Sequence, residues 1–388
     1  MAGVTDTKPR AIIALDLLRF ASALLVVAFH YGAAFARAPS GSSAIMLRGL
    51  PLSDAAAPFT WFGWIGVELF FVISGFVIAL SAEGASAGAF LRRRALRLLP
   101  AAWICATATL LVMSVATPGP MLLRRWADSM IFAPGIVQID PSYWTLGIEL
   151  CFYLLIATGL GRAGLSEAIE RRAVLLGAWS TAFWLFALLA DWAATPLMDL
   201  RSAQLMLLPH GCFFALGVLA WAMISRQRTP GRITLFGLFL ATALVEIAGR
   251  TVERTHALRI VESPLVPILV FCAGLAVVLG SLRLQPWLAR RVDARTATTL
   301  GLMTYPLYLL HQEIGAAIVA ASMRLGAPFP AAAMIALTAM LGAAWWVARR
   351  GEPAVRRWLA AAIDGAVALS RSRGPGRDNR PSASPPAG

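Results

Sequence analysis

The sequence predicts an all-α integral membrane protein of about ten transmembrane helices, with both termini in the cytoplasm. Of its 388 residues, 59% are hydrophobic and only 14% are charged, and the mean hydropathy is +0.71. A soluble domain of this length does not need so apolar a composition. The apolar residues also gather into runs that approach the ~20 residues a helix needs to cross a bilayer.

These apolar runs follow one another along the chain, and each predicts one membrane span. Their approximate limits are residues 11–32, 61–82, 98–116, 144–160, 173–190, 203–223, 233–249, 263–281, 299–320 and 330–348. With the N-terminus inside, the inner segments carry most of the arginines, which is the distribution found in cytoplasmic loops. The net charge of +14 therefore indicates topology and not a nucleic-acid partner.

The spans define three regions of the chain. We expect a cytoplasmic segment over residues 1–10, a membrane domain over 11–350 and a basic cytoplasmic tail over 351–388. The tail is rich in Pro, Gly, Ser and Arg, so we expect disorder from about residue 370 and loose contact with anionic lipid. The four cysteines lie in apolar runs without paired spacing, and predict neither a disulfide framework nor a metal site.

The first span carries two ionisable side chains, Arg19 and His30. Eleven helical steps separate them, which is ~16 Å or about half the hydrocarbon thickness. Ionisable groups at such depth are costly, and they indicate function unless a partner accounts for them. The two residues therefore mark two depths of one pathway.

Further polar groups are predicted in the outer half of the bilayer, on other spans. Counting from the span ends places Glu68, Glu149 and His210 ~10 Å below the outer surface, and His311 near the midplane or above it. A lone membrane histidine often only bonds a neighbouring helix, and we favour that interpretation for His210. The two carboxylates need a cation or a cavity, and His30 can exchange a proton near neutral pH.

The predicted inner side has a different chemistry. Arg92, Arg93, Arg94 and Arg97 precede the third span, and Arg94 and Arg97 share a helix face at i, i+3. The positive-inside rule accounts for Arg92 and Arg93. For Arg94 and Arg97, together with Arg19, a phosphate-binding cluster is an equal alternative because guanidinium groups bind phosphate at several points.

Aromatic side chains mark the predicted outer boundary. Trp61, Trp64, Tyr143 and Trp144 lie near the outer ends of their spans. Such rings are typical interfacial anchors, although they can also stack on a sugar.

Five motifs resemble the membrane-bound acyltransferase-3 family in their order and spacing. They read LDLLRFASALLVVAFHYG, GVELFFVISGFVI, RRRALRLLP, YWTLGIELCFYLL and TYPLYLLHQ. Arg19 and His30 match the family's Arg-ten residues-His spacing, and Arg94 and Arg97 match its R-x-x-R element. Members O-acylate sugars of lipopolysaccharide O-antigen, exopolysaccharide and related glycans. The resemblance implies a multi-pass protein of the inner, cytoplasmic membrane that transfers an acyl group from a cytoplasmic acyl-CoA to a hydroxyl presented on the outer side.

The resemblance also implies site residues and shows departures. His30 is implied to be essential, and Glu149 matches the first Glu of the family's W-S-L-x-x-E-x-x-F-Y element. Leu150 and Cys151 stand where a second Glu and a Gln are frequent, and Glu68 stands where many members have Asp. Many members carry a soluble hydrolase-like domain after the membrane region; we expect none here, so a relay through such a domain would need another protein.

The resemblance and the site residues together predict an acyl-CoA-dependent O-acyltransferase that moves an acyl group, expected to be acetyl, to a hydroxyl of an extracytoplasmic glycan or lipid-linked saccharide. His30 is the expected general base, with Glu68 or Glu149 as its orienter, and an acyl-histidine intermediate is the weaker option. The arginines would hold acyl-CoA, and no metal is expected. The side chains expected to contact the acceptor are Tyr143, Trp144 and His311.

Two rival interpretations stay open at the level of the sequence. Intramembrane Glu, His and Arg residues also form proton relays and anion routes, so a proton-coupled transporter or flippase is the alternative. The chain lacks a detectable inverted repeat with matching Gly/Pro-broken spans, which argues against it. In the second rival interpretation, which is structural, the polar residues only bind the helices to one another.

Overall fold

The computed structural model describes residues 12–133, 137–160, 165–190 and 200–372. Within these ranges the regular structure is helical and no strand is present. The helices of nine residues or more are α1 (Ile13–Phe29), α2 (Gly66–Ala82), α3 (Ala87–Ala116), α4 (Leu122–Met130), α5 (Trp144–Ala157), α6 (Leu165–Leu189), α7 (Gly211–Ser225), α8 (Pro230–Leu258), α9 (Leu265–Leu288), α10 (Ala294–Leu310), α11 (Glu313–Arg324), α12 (Phe329–Trp346) and α13 (Glu352–Ser372).

Seven helical segments of the described chain are long and apolar enough to cross a membrane. They comprise α1, α2, α3, α6, α8 and α9, with their short flanking turns, and α12 continued into α13. The predicted spans at 144–160 and 203–223 fall on shorter apolar helices, Pro141–Ala157 and Gly211–Ser225. The all-helical class is confirmed, whereas the count of about ten spans and the cytoplasmic side of both termini stay predictions.

The predicted span at 299–320 is two helices rather than one. α10 ends at Leu310 and α11 begins at Glu313, so His311 lies at the break between them. Two long-range hydrogen bonds hold this break. The Tyr31 hydroxyl donates to the His311 carbonyl at 2.9 Å, and the Glu313 N–H donates to the Asp140 carboxylate at 3.1 Å. Backbone groups freed by the break therefore find partners inside the bundle.

Helix α2 is held closely on two faces by glycine contacts. A Cβ on Gly66 would lie 2.3 Å from the Ser22 carbonyl oxygen of α1, and one on Gly75 would lie 2.2 Å from the Phe214 carbonyl oxygen of α7. From the α7 side, a Cβ on Gly217 would lie 2.0 Å from the Val72 carbonyl oxygen. Only glycine permits such backbone approach, which fixes the position of α2 between its neighbours.

Helix α1 continues into a π-helical turn at His30–Ala34 and a last short helix, Phe35–Arg37. The Arg37 side chain forms an ion pair with Asp54 at 2.7 Å and donates to the Leu258 carbonyl at 3.3 Å. The end of α8 and the connection after α1 therefore meet beside the π-helical turn.

Helix α12 passes through a second π-helical turn, Val347–Gly351, into α13. Helix α13 packs on α3 through the ion pairs Arg97–Glu352 at 3.0 Å and Arg92–Asp364 at 2.8 Å. Residues 351–372, which the prediction assigned to the tail, thus form a packed helix. The predicted N-terminal segment 1–10 and the tail from residue 373 lie outside the described residues, so the disorder expected from about residue 370 stays a prediction.

Candidate active site

A cavity of about 310 Å³ opens among the helices that carry the predicted histidines. We call it the histidine cavity, and its lining includes His30, Glu68, Trp144, His210, Arg254 and His311. His30 stands where α1 enters its π-helical turn, and its ring centroid lies 5.0 Å from that of His311. The structure therefore brings together two imidazoles that lie 281 positions apart in the chain.

The hydrogen bond of His311 indicates which of its ring nitrogens is an acceptor. Its Nδ1 lies 2.7 Å from the Tyr308 carbonyl oxygen. Because a carbonyl only accepts, Nδ1 carries the hydrogen, and in the neutral ring Nε2 keeps a lone pair. This Nε2 is buried and has no hydrogen-bond partner in the described part of the chain. The side chain is thus suited to accept a hydrogen bond from a bound hydroxyl.

His210 lies close to acidic side chains of two neighbouring helices, and the helix-contact interpretation favoured from the sequence stays a prediction. Its Nδ1 lies 3.6 Å from Glu68 Oε2 and 3.7 Å from Glu246 Oε1, and all three side chains are buried. The ligand atoms of these three residues lie within 4.8 Å of one another, a spacing that could hold a metal ion. Arg250, however, already lies 3.4 Å from Glu246 and supplies positive charge there. The expectation of no metal stays a prediction.

A second cavity, of about 120 Å³, collects the predicted arginines. We call it the arginine cavity, and its lining includes Arg19, Arg94, Arg97, Glu149 and Tyr153. The Arg19 guanidinium lies 3.9 Å from the Asp16 carboxylate, and Arg97 pairs with Glu352. The Cζ of Arg94 lies over two aromatic rings, 5.7 Å from the ring centroid of Phe90 and 6.0 Å from that of Tyr153. Its guanidinium has no carboxylate within ion-pair distance in the described ranges.

Glu149 lies in the arginine cavity and not beside His30. Its carboxylate accepts hydrogen bonds from the Ser74 hydroxyl at 2.9 Å and from the Tyr153 hydroxyl. The sequence placed Glu149 at the depth of Glu68 because Tyr143 was taken as the membrane boundary. Tyr143 is instead fully buried, and its hydroxyl donates to the Ala102 carbonyl at 2.8 Å. The start of α5 is therefore packed inside the bundle, and Glu149 lines a different cavity from Glu68.

The same burial applies to most of the aromatic residues expected at the interface. Trp61 and Trp64 are 1% and 6% exposed, so they belong to the core. Tyr143 lines neither cavity, whereas Trp144 and His311 line the histidine cavity. Of the three residues expected to contact the acceptor, the structure therefore places two where an acceptor could reach them.

The two cavities share part of their wall. Val67 of α2 and Tyr308 of α10 line both of them. These two side chains thus form the partition between the three arginines on one side and the three imidazoles on the other.

Three charged residues of α8 at this site were missed by the sequence analysis. Glu246, Arg250 and Arg254 follow one another at intervals of four and share a helix face. The predicted span ended at residue 249, so the two arginines were taken for loop residues, whereas α8 continues to Leu258. The fourfold spacing of charges in EIAGRTVER was the signal that could have revealed them.

A model of an acyltransferase domain matches residues 12–349, which is most of the chain. The fold and the match together define a membrane acyltransferase. The chain belongs to the acyltransferase-3 family, as its motifs indicated, and it is a multi-pass membrane protein. No curated protein and no solved structure matches it.

Proposed function

We propose that this protein is an integral-membrane O-acyltransferase that moves an acyl group, acetyl in the simplest case, from acyl-CoA to a hydroxyl of a glycan or glycan-like acceptor. The observation that carries the proposal is the shared wall of the two cavities. In the proposal, the acyl end of a donor held by the arginines reaches past Val67 and Tyr308 to an acceptor held by the imidazoles on the other side of this wall. A cytoplasmic donor would make the cytoplasmic membrane the site of action.

The arginine cavity suits the donor. Guanidinium groups bind phosphate oxygens at several points, and CoA carries several phosphates. Arg94 supports this assignment most directly, because it contacts aromatic faces and no carboxylate. The cavity is too small for the whole of CoA, so in the proposal the phosphates lie against the arginines and only part of the donor enters it.

The histidine cavity suits the acceptor. In the proposed reaction His30 accepts the proton of the acceptor hydroxyl as its oxygen bonds to the thioester carbonyl carbon. The carbon–sulfur bond then breaks and CoA leaves as the thiol after taking up a proton. Of the two carboxylates considered from the sequence, Glu68 is the proposed orienter because it shares this cavity with His30. Glu149 lies on the donor side.

The decisive experiment replaces His30 by Asn in protein purified into nanodiscs. Labelled acetyl-CoA and a panel of glycans are supplied, and esters are identified by mass spectrometry. We expect the variant to remain folded and its transfer rate to fall by about 10²-fold or more, the usual contribution of a general base. His256→Asn, at an exposed position of α8, is the matched control and should keep its activity.

Two outcomes would argue against the proposal. Undiminished transfer by His30→Asn would remove the mechanism. Movement of the acceptor across the bilayer without ester formation would instead favour the transporter or flippase considered from the sequence.

A further inference from the structure

The end of α8 places an uncompensated arginine in the histidine cavity. Arg254 lines this cavity, and its Nε is buried without a hydrogen-bond partner in the described ranges. We infer that the acceptor carries an anionic group, a carboxylate or a phosphate, that Arg254 binds beside the reacting hydroxyl. The inference rests on the proposed role of this cavity as the acceptor site.

The neighbouring arginine of α8, by contrast, lies within ion-pair distance of carboxylates. Arg250, one turn earlier on α8, lies 3.4 Å from Glu246 and 2.7 Å from Glu253. Within the described residues, no carboxylate lies within ion-pair distance of Arg254. A guanidinium held partly out of water without an anion is costly. A bound anion would offset that cost.

The position of Arg254 relates it to the reacting groups. It lines the same cavity as His30 and Glu68. Unlike Val67 and Tyr308, it lines only the histidine cavity, so it lies on the acceptor side of the partition. An anion bound there belongs to the molecule that presents its hydroxyl to His30, and not to the donor that arrives from the arginine cavity.

The remaining lining is suited to an acceptor larger than the acyl group itself. The cavity volume of about 310 Å³ lies in the range of small-molecule sites and exceeds what a two-carbon ester occupies. Gln204 and Gln312 contribute amide groups, and Trp144 contributes a ring face. Amides and an indole suit sugar hydroxyls and a sugar ring, and the guanidinium supplies a bidentate site for a carboxylate or phosphate.

A binding experiment tests the inference on the full-length protein in nanodiscs of zwitterionic lipid. The probes are octyl glucoside, octyl glucuronide and octyl glucoside 6-phosphate, which share the sugar and the chain and differ in charge. We expect at least one anionic probe to bind about tenfold more tightly than the neutral one, since a charge-assisted hydrogen bond contributes roughly that factor. The tighter of the two identifies the anion as carboxylate or phosphate.

The variants locate the effect at one side chain. Arg254→Gln should bind the three probes alike, and Arg254→Lys should keep part of the preference because it keeps the charge. Arg48→Gln, at an exposed position of the connection after α1, is the matched control and should bind as the parent protein does. If Arg254→Gln does not fold, loss of the preference in the parent protein at high salt, with neutral binding kept, supplies the second measurement.

The outcomes separate this inference from the proposed function. The inference is overturned if the parent protein binds all three probes with equal affinity, or if it binds none of them. A preference for an anionic probe that persists in Arg254→Gln overturns it as well. A preference that depends on Arg254, without acyl transfer to any probe, supports the anion site and counts against the acyltransferase mechanism. Acyl transfer to neutral and anionic probes at equal KM supports the acyltransferase mechanism and counts against the anion site.

Discussion

Replacing Gly217 by Ala should force α2 and α7 apart and destabilise the site between them. The added Cβ would lie 2.0 Å from the Val72 carbonyl oxygen and 2.7 Å from the Phe76 nitrogen, both backbone atoms of α2. A normal contact needs roughly 3.5 Å, so the helices must separate by about 1.5 Å. Overpacking of this kind costs about 1–3 kcal/mol in soluble cores. The separation also moves Glu68 relative to His210, since these residues belong to the two helical segments.

The assay is thermal unfolding in detergent, followed with a maleimide that fluoresces on reaction with cysteine. Cys105 and Cys212 are fully buried and become reactive as the bundle opens. The control is Gly237→Ala on α8, where no heavy atom lies within 4 Å of the added Cβ. This change should hold or raise the midpoint, because Ala favours a helix by up to about 1 kcal/mol over Gly. A Gly217→Ala midpoint equal to the control would refute the reasoning.

Two further predictions concern the donor and the partition. Arg94→Ala should raise the KM for acetyl-CoA about tenfold through the loss of phosphate contacts, with little change in the transfer rate at saturating donor. Arg93→Ala is its control. Equal KM values for the two variants would contradict the assignment of Arg94 to the donor. Val67→Ala should widen the partition and raise the rate with butyryl-CoA relative to acetyl-CoA, measured by mass spectrometry of the esters. Val115→Ala, at an 85% exposed position of α3, should leave that ratio unchanged, and a constant ratio in both variants would remove Val67 from the acyl path.

Features that depend on one helix followed from the sequence. Arg19 and His30 lie at two depths of α1 and line different cavities, as the rise of a helix required. Arg94 and Arg97 share a face of α3 and reach the same cavity, as their i, i+3 spacing indicated. The rise and the turn of a helix are intrinsic to the backbone and need no knowledge of its neighbours.

Features that depend on neighbouring helices could not be predicted from the sequence. Glu149 was expected at the level of Glu68, but it lines the other cavity, and Tyr143, expected at the membrane boundary, is a buried residue of the core. The break at His311 depends on a hydroxyl from Tyr31 and a carboxylate from Asp140, which lie far away in the chain. Hydropathy locates apolar segments, but it carries no information on which distant side chains will satisfy a break or begin a helix inside the bundle.

The π-helical turn at His30–Ala34 contains one residue more than an α-helical turn. Deleting one residue of this turn after His30 would therefore let α-helical winding resume with the residues beyond it close to their present orientation. The same deletion in the regular part of α1 would rotate everything beyond it by roughly 100° about the helix axis, and Arg37 would leave Asp54 and the Leu258 carbonyl. This turn is thus the place in the first span where the loss of one residue would disturb the bundle least.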